Sequence, residues 1–159
     1  MSIATILEKA IAGLGEVLSG IRRASFYETE PVPKSNQNNF LNTAVTGFFS
    51  GQAKELLERI QKIEARFGRD RSKETRWGER SLDIDILVFG NLILSTQDLD
   101  IPHPRLNERR FALEPLLELW PDACCPKTGV PYREICNALP EQGIKVLTEP
   151  QGHRGKIYF

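Results

Sequence analysis

Leu82-Asp83-Ile84-Asp85-Ile86-Leu87-Val88-Phe89 is the stretch on which the fold turns. It reads as a strand over 82–89. Residues two apart on a strand face the same way, about 6.5–7 Å apart. Asp83 and Asp85 therefore share a face, and Leu82, Ile84, Ile86 and Val88 take the other, which must be core. Two carboxylates on an otherwise apolar strand repel each other and lose hydration. A hard divalent cation relieves both costs, and Mg²⁺ commonly uses one or two carboxylates plus phosphate oxygens. The competing reading is a solvated strand face with an arginine nearby.

Working outward, residues 66–80 carry six basic side chains (Arg66, Arg69, Arg71, Lys73, Arg76, Arg80) against three acidic ones, with Trp77 and Gly78 among them. Beside a carboxylate pair, such a loop suits a polyphosphate, with metal on one side and guanidinium groups on the other. A plain solvated loop is the alternative. Before it, Ala53, Leu56, Leu57, Ile60 and Phe67 form one apolar stripe of a helix over 52–67. Glu64 falls inside that stripe and Gln61 at its edge. A carboxylate there needs a partner, either an arginine or a ligand donor. Gly68 suits the C-cap.

The chain opens with helical spacing at Ile3, Ile6, Leu7, Ala10, Ile11 and Leu14. Residues 21–29 and 40–49 read as strands around a Pro- and Asn-rich loop at 30–39. Phe40 and Asn42 share a strand face, an aromatic ring beside an amide, which can stack on and read a flat heterocycle or simply be half-buried. Gly90-Asn91 reads as a turn into a short strand. His103 lies between Pro102 and Pro104, followed by Arg109 and Phe111. Residues 109–119 read as a short helix, and the tail holds two strand-like pieces, IKVLT and KIYF. This order suits an α+β domain spanning 1–159, with helices packed on a mainly antiparallel sheet.

The composition agrees with that. Lys plus Arg and Asp plus Glu both number 21, so the net charge is zero, which speaks against a nucleic-acid or membrane-surface binder. Cys124, Cys125 and Cys136 show no Cys-x-x-Cys spacing and read as reduced thiols. With no membrane-length apolar run and no leader pattern, a cytoplasmic protein is expected. Neither a P-loop nor a Gly-x-Gly-x-x-Gly fingerprint is present. Nucleotide phosphate would have to be handled by Mg²⁺ and arginines.

SFYETEPVP (25–33), QNNFLNTAV (37–45), ELLERIQKIEARFGR (55–69), RWGERSLDIDILVFG (76–90) and LDIPHPRLNERRFALEPLLEL (99–119) follow one another in a family's order. The sequence resembles the 6-hydroxymethyl-7,8-dihydropterin pyrophosphokinases of folate biosynthesis over roughly residues 4–121. The resemblance implies a ferredoxin-like fold, transfer of the terminal diphosphate of ATP to the pterin hydroxymethyl group, and AMP as the other product. It implies two Mg²⁺ ions on Asp83 and Asp85, with Arg69 and Arg80 beside them in catalysis. It implies an ATP side made by Gln61, Glu64, Arg69, Arg71, Trp77, Arg80, Ile86, His103 and Arg109. It implies a pterin pocket made by Thr29, Phe40, Asn42 and Phe111. A monomer without nucleic-acid or membrane partners is expected, a strand-exchanged dimer being the alternative.

The family opens with a strand and a Gly-Ser-Asn loop before the first helix, whereas this sequence opens at that helix. Three explanations stand side by side: a start assigned too late, a C-terminal Lys156-Ile157-Tyr158-Phe159 piece filling the slot in the same chain or by exchange, or a non-catalytic Mg-ATP and pterin-binding relic.

Overall fold

The chain, seen in a computed structural model, is described over residues 3–29, 40–67, 82–147 and 154–159. Helix α1 (Ile3–Val17) buries Ile3, Leu7, Ala10 and Leu14, the stripe its spacing predicts. Strands β1 (Ser19–Arg23), β2 (Phe26–Thr29) and β3 (Phe40–Phe48) follow. The expected single strand over 21–29 is thus two. The break has a long-range cause: the Ser25 amide donates to Glu118 Oε2 at 2.7 Å, and the Ser25 hydroxyl donates to Oε1 of the same carboxylate. Those bonds take Ser25 out of the ladder.

Helix α2 (Ala53–Phe67) buries Ala53, Leu56, Ile60, Ile63 and Glu64. The expected C-cap Gly68 lies outside the described residues. Strand β4 (Leu82–Asp85) alternates buried and half-buried residues, with both aspartates on the half-buried side. The strand stops four residues short of the expected 82–89, where the Leu87 and Val88 amides both converge on the Phe159 carbonyl and the regular ladder ends. A small hairpin, β5 (Leu94–Ser95) and β6 (Asp100–Ile101), follows a turn in which Gly90 has φ +56, a conformation that favours glycine. Then come α3 (Arg110–Leu119), α4 (Tyr132–Ala138), β7 (Ile144–Leu147) and β8 (Arg154–Tyr158).

The main sheet has the order β4-β8-β3-β2-β7, with β1 also pairing β3. Strands β1 and β2 run antiparallel to β3, and β7 antiparallel to β2. Strand β8 runs parallel to both of its neighbours. The domain is therefore α+β with a mixed sheet. The C-terminal strand occupies the interior slot, in the same chain, as one of the three explanations anticipates.

Two apolar clusters sandwich the sheet. Leu7, Leu14, Leu41, Val45, Leu56, Ile60, Leu82, Ile84 and Ile157 join α1 and α2 to one face. Tyr27, Ala44, Leu113, Leu116, Tyr132 and Tyr158 join α3 and α4 to part of the other. The part of that second face that α3 and α4 do not cover holds the candidate site.

Candidate active site

Backbone register decides what meets on the second face. Residue 156 of β8 aligns with Asn42 on one side and Asp83 on the other, and Tyr158 aligns with Ala44 and Asp85. Aligned residues on paired strands share a face. Asn42, Asp83, Asp85 and Tyr158 therefore stand on one side of the sheet. Two strand spacings of about 4.8 Å separate the Asn42 row from the Asp83 row.

Asn42 is 1% exposed. Its Nδ2 donates to Thr29 Oγ1 at 2.9 Å and to the Tyr27 carbonyl at 3.2 Å. A carbonyl acceptor fixes which end of the amide is nitrogen. Its Oδ1 is then a buried acceptor with no partner among the described residues. Such atoms are rare because each costs about 1–3 kcal/mol. Thr29, also buried, aligns with Phe40 at the mouth of the same strand pair.

Across the face, α3 begins beside the acidic row. The Arg109 guanidinium lies 5.7 Å from the Phe111 ring centre. The Phe111 ring lies 6.4 Å from that of Tyr158, tilted by 43°. Burial, with the Asp85 and Asp83 carboxylates adding to it, holds the Tyr158 phenol far above its ordinary range, and Arg109 opposes them.

The backbone around Asp85 is stitched to the C-terminus. The Phe159 amide donates to the Asp85 carbonyl at 2.8 Å, and the Leu87 and Val88 amides donate to Phe159 O. The Leu87 carbonyl in turn accepts the His103 amide at 2.8 Å. His103 Nδ1 accepts the Arg105 amide at 3.2 Å. In the neutral ring the proton then sits on Nε2.

Glu64 reaches the sheet from the opposite layer. Its Oε2 accepts the Ile84 amide at 3.2 Å, on the outer edge of β4. A backbone amide is thus one partner of this carboxylate. Ile86 is buried nearby in the first cluster. Gln61, one turn earlier on α2, is exposed and lines a groove of about 900 Å³ with Leu57, Phe89, Leu94 and Leu99. The fold so brings Thr29, Phe40, Asn42, Asp83, Asp85, Arg109 and Phe111 to one face. Gln61 and Glu64 belong to α2, on the other side of β4. Arg69, Arg71, Trp77 and Arg80 lie outside the described residues.

Tyr158 is the residue that sequence reading missed. The signal was its alternation with Ile157 in the final strand-like piece, which said strand but not where. Among the described residues no three His, Cys, Asp or Glu side chains cluster as a metal site. Two carboxylates suffice for Mg²⁺ when phosphate and water complete its shell. The donor set on this face fits that ion.

Residues 2–121 match the family described as 7,8-dihydro-6-hydroxymethylpterin-pyrophosphokinase (HPPK). The chain belongs to this family. A Bacillus subtilis (strain 168) HPPK, named 2-amino-4-hydroxy-6-hydroxymethyldihydropteridine pyrophosphokinase, is 44% identical over 152 residues, covering 94% of this chain and 80% of the relative. An Aquifex aeolicus protein of the same name is 36% identical over 137 residues, covering 86% and 82%. A folate synthesis bifunctional protein of Arabidopsis thaliana is 42% identical over 102 residues, which are 64% of this chain and 21% of that longer protein. The HPPK match ends before β7 and β8, so the strand that completes the sheet lies beyond it.

Proposed function

We propose that the chain transfers the terminal diphosphate of ATP to the hydroxymethyl group of 6-hydroxymethyl-7,8-dihydropterin, releasing AMP, in folate biosynthesis. One observation carries the reading. A single sheet face holds both a buried amide whose acceptor has no partner among the described residues, at Asn42, and a pair of carboxylates, at Asp83 and Asp85. The first asks for a ligand N–H donor; the second asks for a cation.

In this reading Phe40 and Phe111 flank the pterin ring, and Asn42 Oδ1 accepts from its N–H edge with Thr29 holding the amide in place. Asp83 and Asp85 hold two Mg²⁺ ions, which supply charge neutralisation to the polyphosphate when bound. The pterin hydroxymethyl oxygen attacks the β-phosphorus and gives up its proton to Asp85 or to water. The bond from that phosphorus to the oxygen bridging it to the α-phosphate breaks, and AMP leaves with that oxygen. The protein contributes chiefly position and charge. Arg109 and the His103 Nε2 proton are donors toward phosphate. Gln61, Glu64, Ile86, Arg71 and Trp77 make up the rest of the ATP side, and Arg69 and Arg80 meet the charge on the group in transit.

The finer points follow from the same reading. The β4-β8-β3-β2 order is a ferredoxin-like sheet with β8 standing where the family's first strand stands. The chain supplies that strand to itself, which supports a monomer. No described helix is long and apolar enough to cross a membrane, and we place the enzyme in the cytoplasm.

Product analysis tests the reading. The chain, Mg-ATP and the dihydropterin should give one AMP per pterin consumed, and no AMP without pterin. A folded chain that binds Mg-ATP yet forms no AMP would overturn it in favour of a non-catalytic binding protein.

A further inference from the structure

Strand β8 does more than close the sheet. Tyr158 is 1% exposed and stands between Ala44 and Asp85 in the ladder. The small Ala44 leaves the neighbouring position on the face open to a large ring. Its own neighbour across the face is Phe111, at 6.4 Å and 43°. Phe111 is only partly buried and packs against the second apolar cluster, to which Tyr158 belongs. Tilted rings at this spacing attract each other. Phe111 is thus held on its inner side by the C-terminal strand, and Arg109 lies over the ring.

We propose that Tyr158 is a positioning residue for the transfer reaction: its ring holds Phe111 in the orientation that meets the pterin. The inference rests on the reading of Phe111 as one wall of the pterin pocket. It assigns to the C-terminal strand a share in substrate recognition, exerted through Phe111. That share is separate from the strand's backbone role, since any side chain could complete the ladder but only a ring can support Phe111.

The test uses the full chain and five proteins: wild type, Tyr158→Leu, Tyr158→Phe, Phe111→Leu and the double variant Phe111→Leu with Tyr158→Leu. Steady-state AMP formation gives kcat and the KM for each substrate. Equilibrium titration of the fluorescent pterin gives its Kd without turnover. Tyr158→Leu should raise pterin KM and Kd about three- to tenfold, as expected for one lost ring contact, while the KM for ATP and kcat stay within twofold. Tyr158→Phe, which keeps the ring, should recover most of that loss. In a Phe111→Leu background, adding Tyr158→Leu should produce no further rise in pterin KM. Should Tyr158→Leu fail to melt cooperatively, Tyr158→Met takes its place under the same criteria. Equal losses toward both substrates, an unchanged pterin Kd, or additive effects of the two leucine substitutions would each overturn the proposal while leaving the activity intact. A wild type that forms no AMP overturns the functional reading and this inference with it.

Discussion

Replacing Asn42 with leucine separates what the amide does for the fold from what it does for a ligand. In the free protein the substitution removes two hydrogen bonds, to Thr29 Oγ1 and to the Tyr27 carbonyl. Each contributes about 1 kcal/mol net. It also removes a buried acceptor that has no partner among the described residues, which relieves about 1–3 kcal/mol. These contributions nearly cancel, so Asn42→Leu should change stability by no more than about 2 kcal/mol in either direction. For a chain of this size that is a shift of only a few degrees, at about 2–4 °C per kcal/mol.

Binding has no such cancellation. In the proposed complex the pterin N–H facing Oδ1 would enter an apolar site unpaired. Losing the bond and stranding the donor costs at least about 2 kcal/mol, or roughly 30-fold. The assay is AMP formation at saturating Mg-ATP with varied pterin, run beside a thermal melt. The expected result is a pterin KM raised at least about 30-fold with the melt within a few degrees of wild type. A large fall in melting temperature with an unchanged pterin KM would refute the reasoning, since it would make Asn42 a purely structural amide.

Asp83→Asn and Asp85→Asn should each abolish turnover without loss of the cooperative melt, because both side chains are only half-buried; unchanged AMP formation in either variant removes the metal role assigned to that residue. Deleting residues 154–159 takes away three buried side chains, Ile157, Tyr158 and Phe159, worth on the order of 6 kcal/mol together. That approaches the whole stability of a typical domain, so far-ultraviolet circular dichroism should show no cooperative unfolding, and a transition near that of the full chain would contradict the interior position of β8. Burial pushes all three tyrosines, Tyr27, Tyr132 and Tyr158, above their ordinary range, with the Glu118, Cys125 and Asp85 charges respectively adding to it. Unfolded phenols release their protons near pH 10 and the folded ones higher, so stability is unaffected below about pH 10 and falls above it; absorbance at phenolate wavelengths should rise together with unfolding, and a native-state titration near pH 10 would count against it.

The legible parts of the sequence were those set by local period. Leu7, Ala10 and Leu14 announce α1, Leu56 and Ile60 announce α2, and the alternation of Leu82, Asp83, Ile84 and Asp85 gives both the strand and its faces. What failed depended on contacts distant in the chain. Ser25 leaves its strand because a carboxylate 93 residues away holds it. One partner of Glu64 is an edge amide of β4, 20 residues on, which no side-chain pattern reports. Helix α4 went unseen because seven residues are too few to establish a period. The Asp pair and the Phe40-Asn42 face could be named as candidates, but only strand register shows that they share a side.

Register also explains why an interior strand matters to chemistry as well as to stability. If β3 and β4 paired directly, the Asn42 and Asp83 rows would lie about 4.8 Å apart, one strand spacing. A pterin ring and a metal-bound polyphosphate could not both occupy so short a span. With β8 between them the rows stand about 9.5 Å apart, room for a flat ring at one end and a hydroxymethyl arm reaching toward phosphate at the other. The spacer needs only parallel backbone pairing on both edges, a small or ring-bearing residue on the site face and an apolar one on the other. Ile157 meets the last condition at 0% exposure, and Tyr158 meets the second. Where along the chain that strand is encoded matters less than that it pairs in this register, because a shift by one residue would exchange Tyr158 for Ile157 on the site face and put the phenol into the aliphatic core.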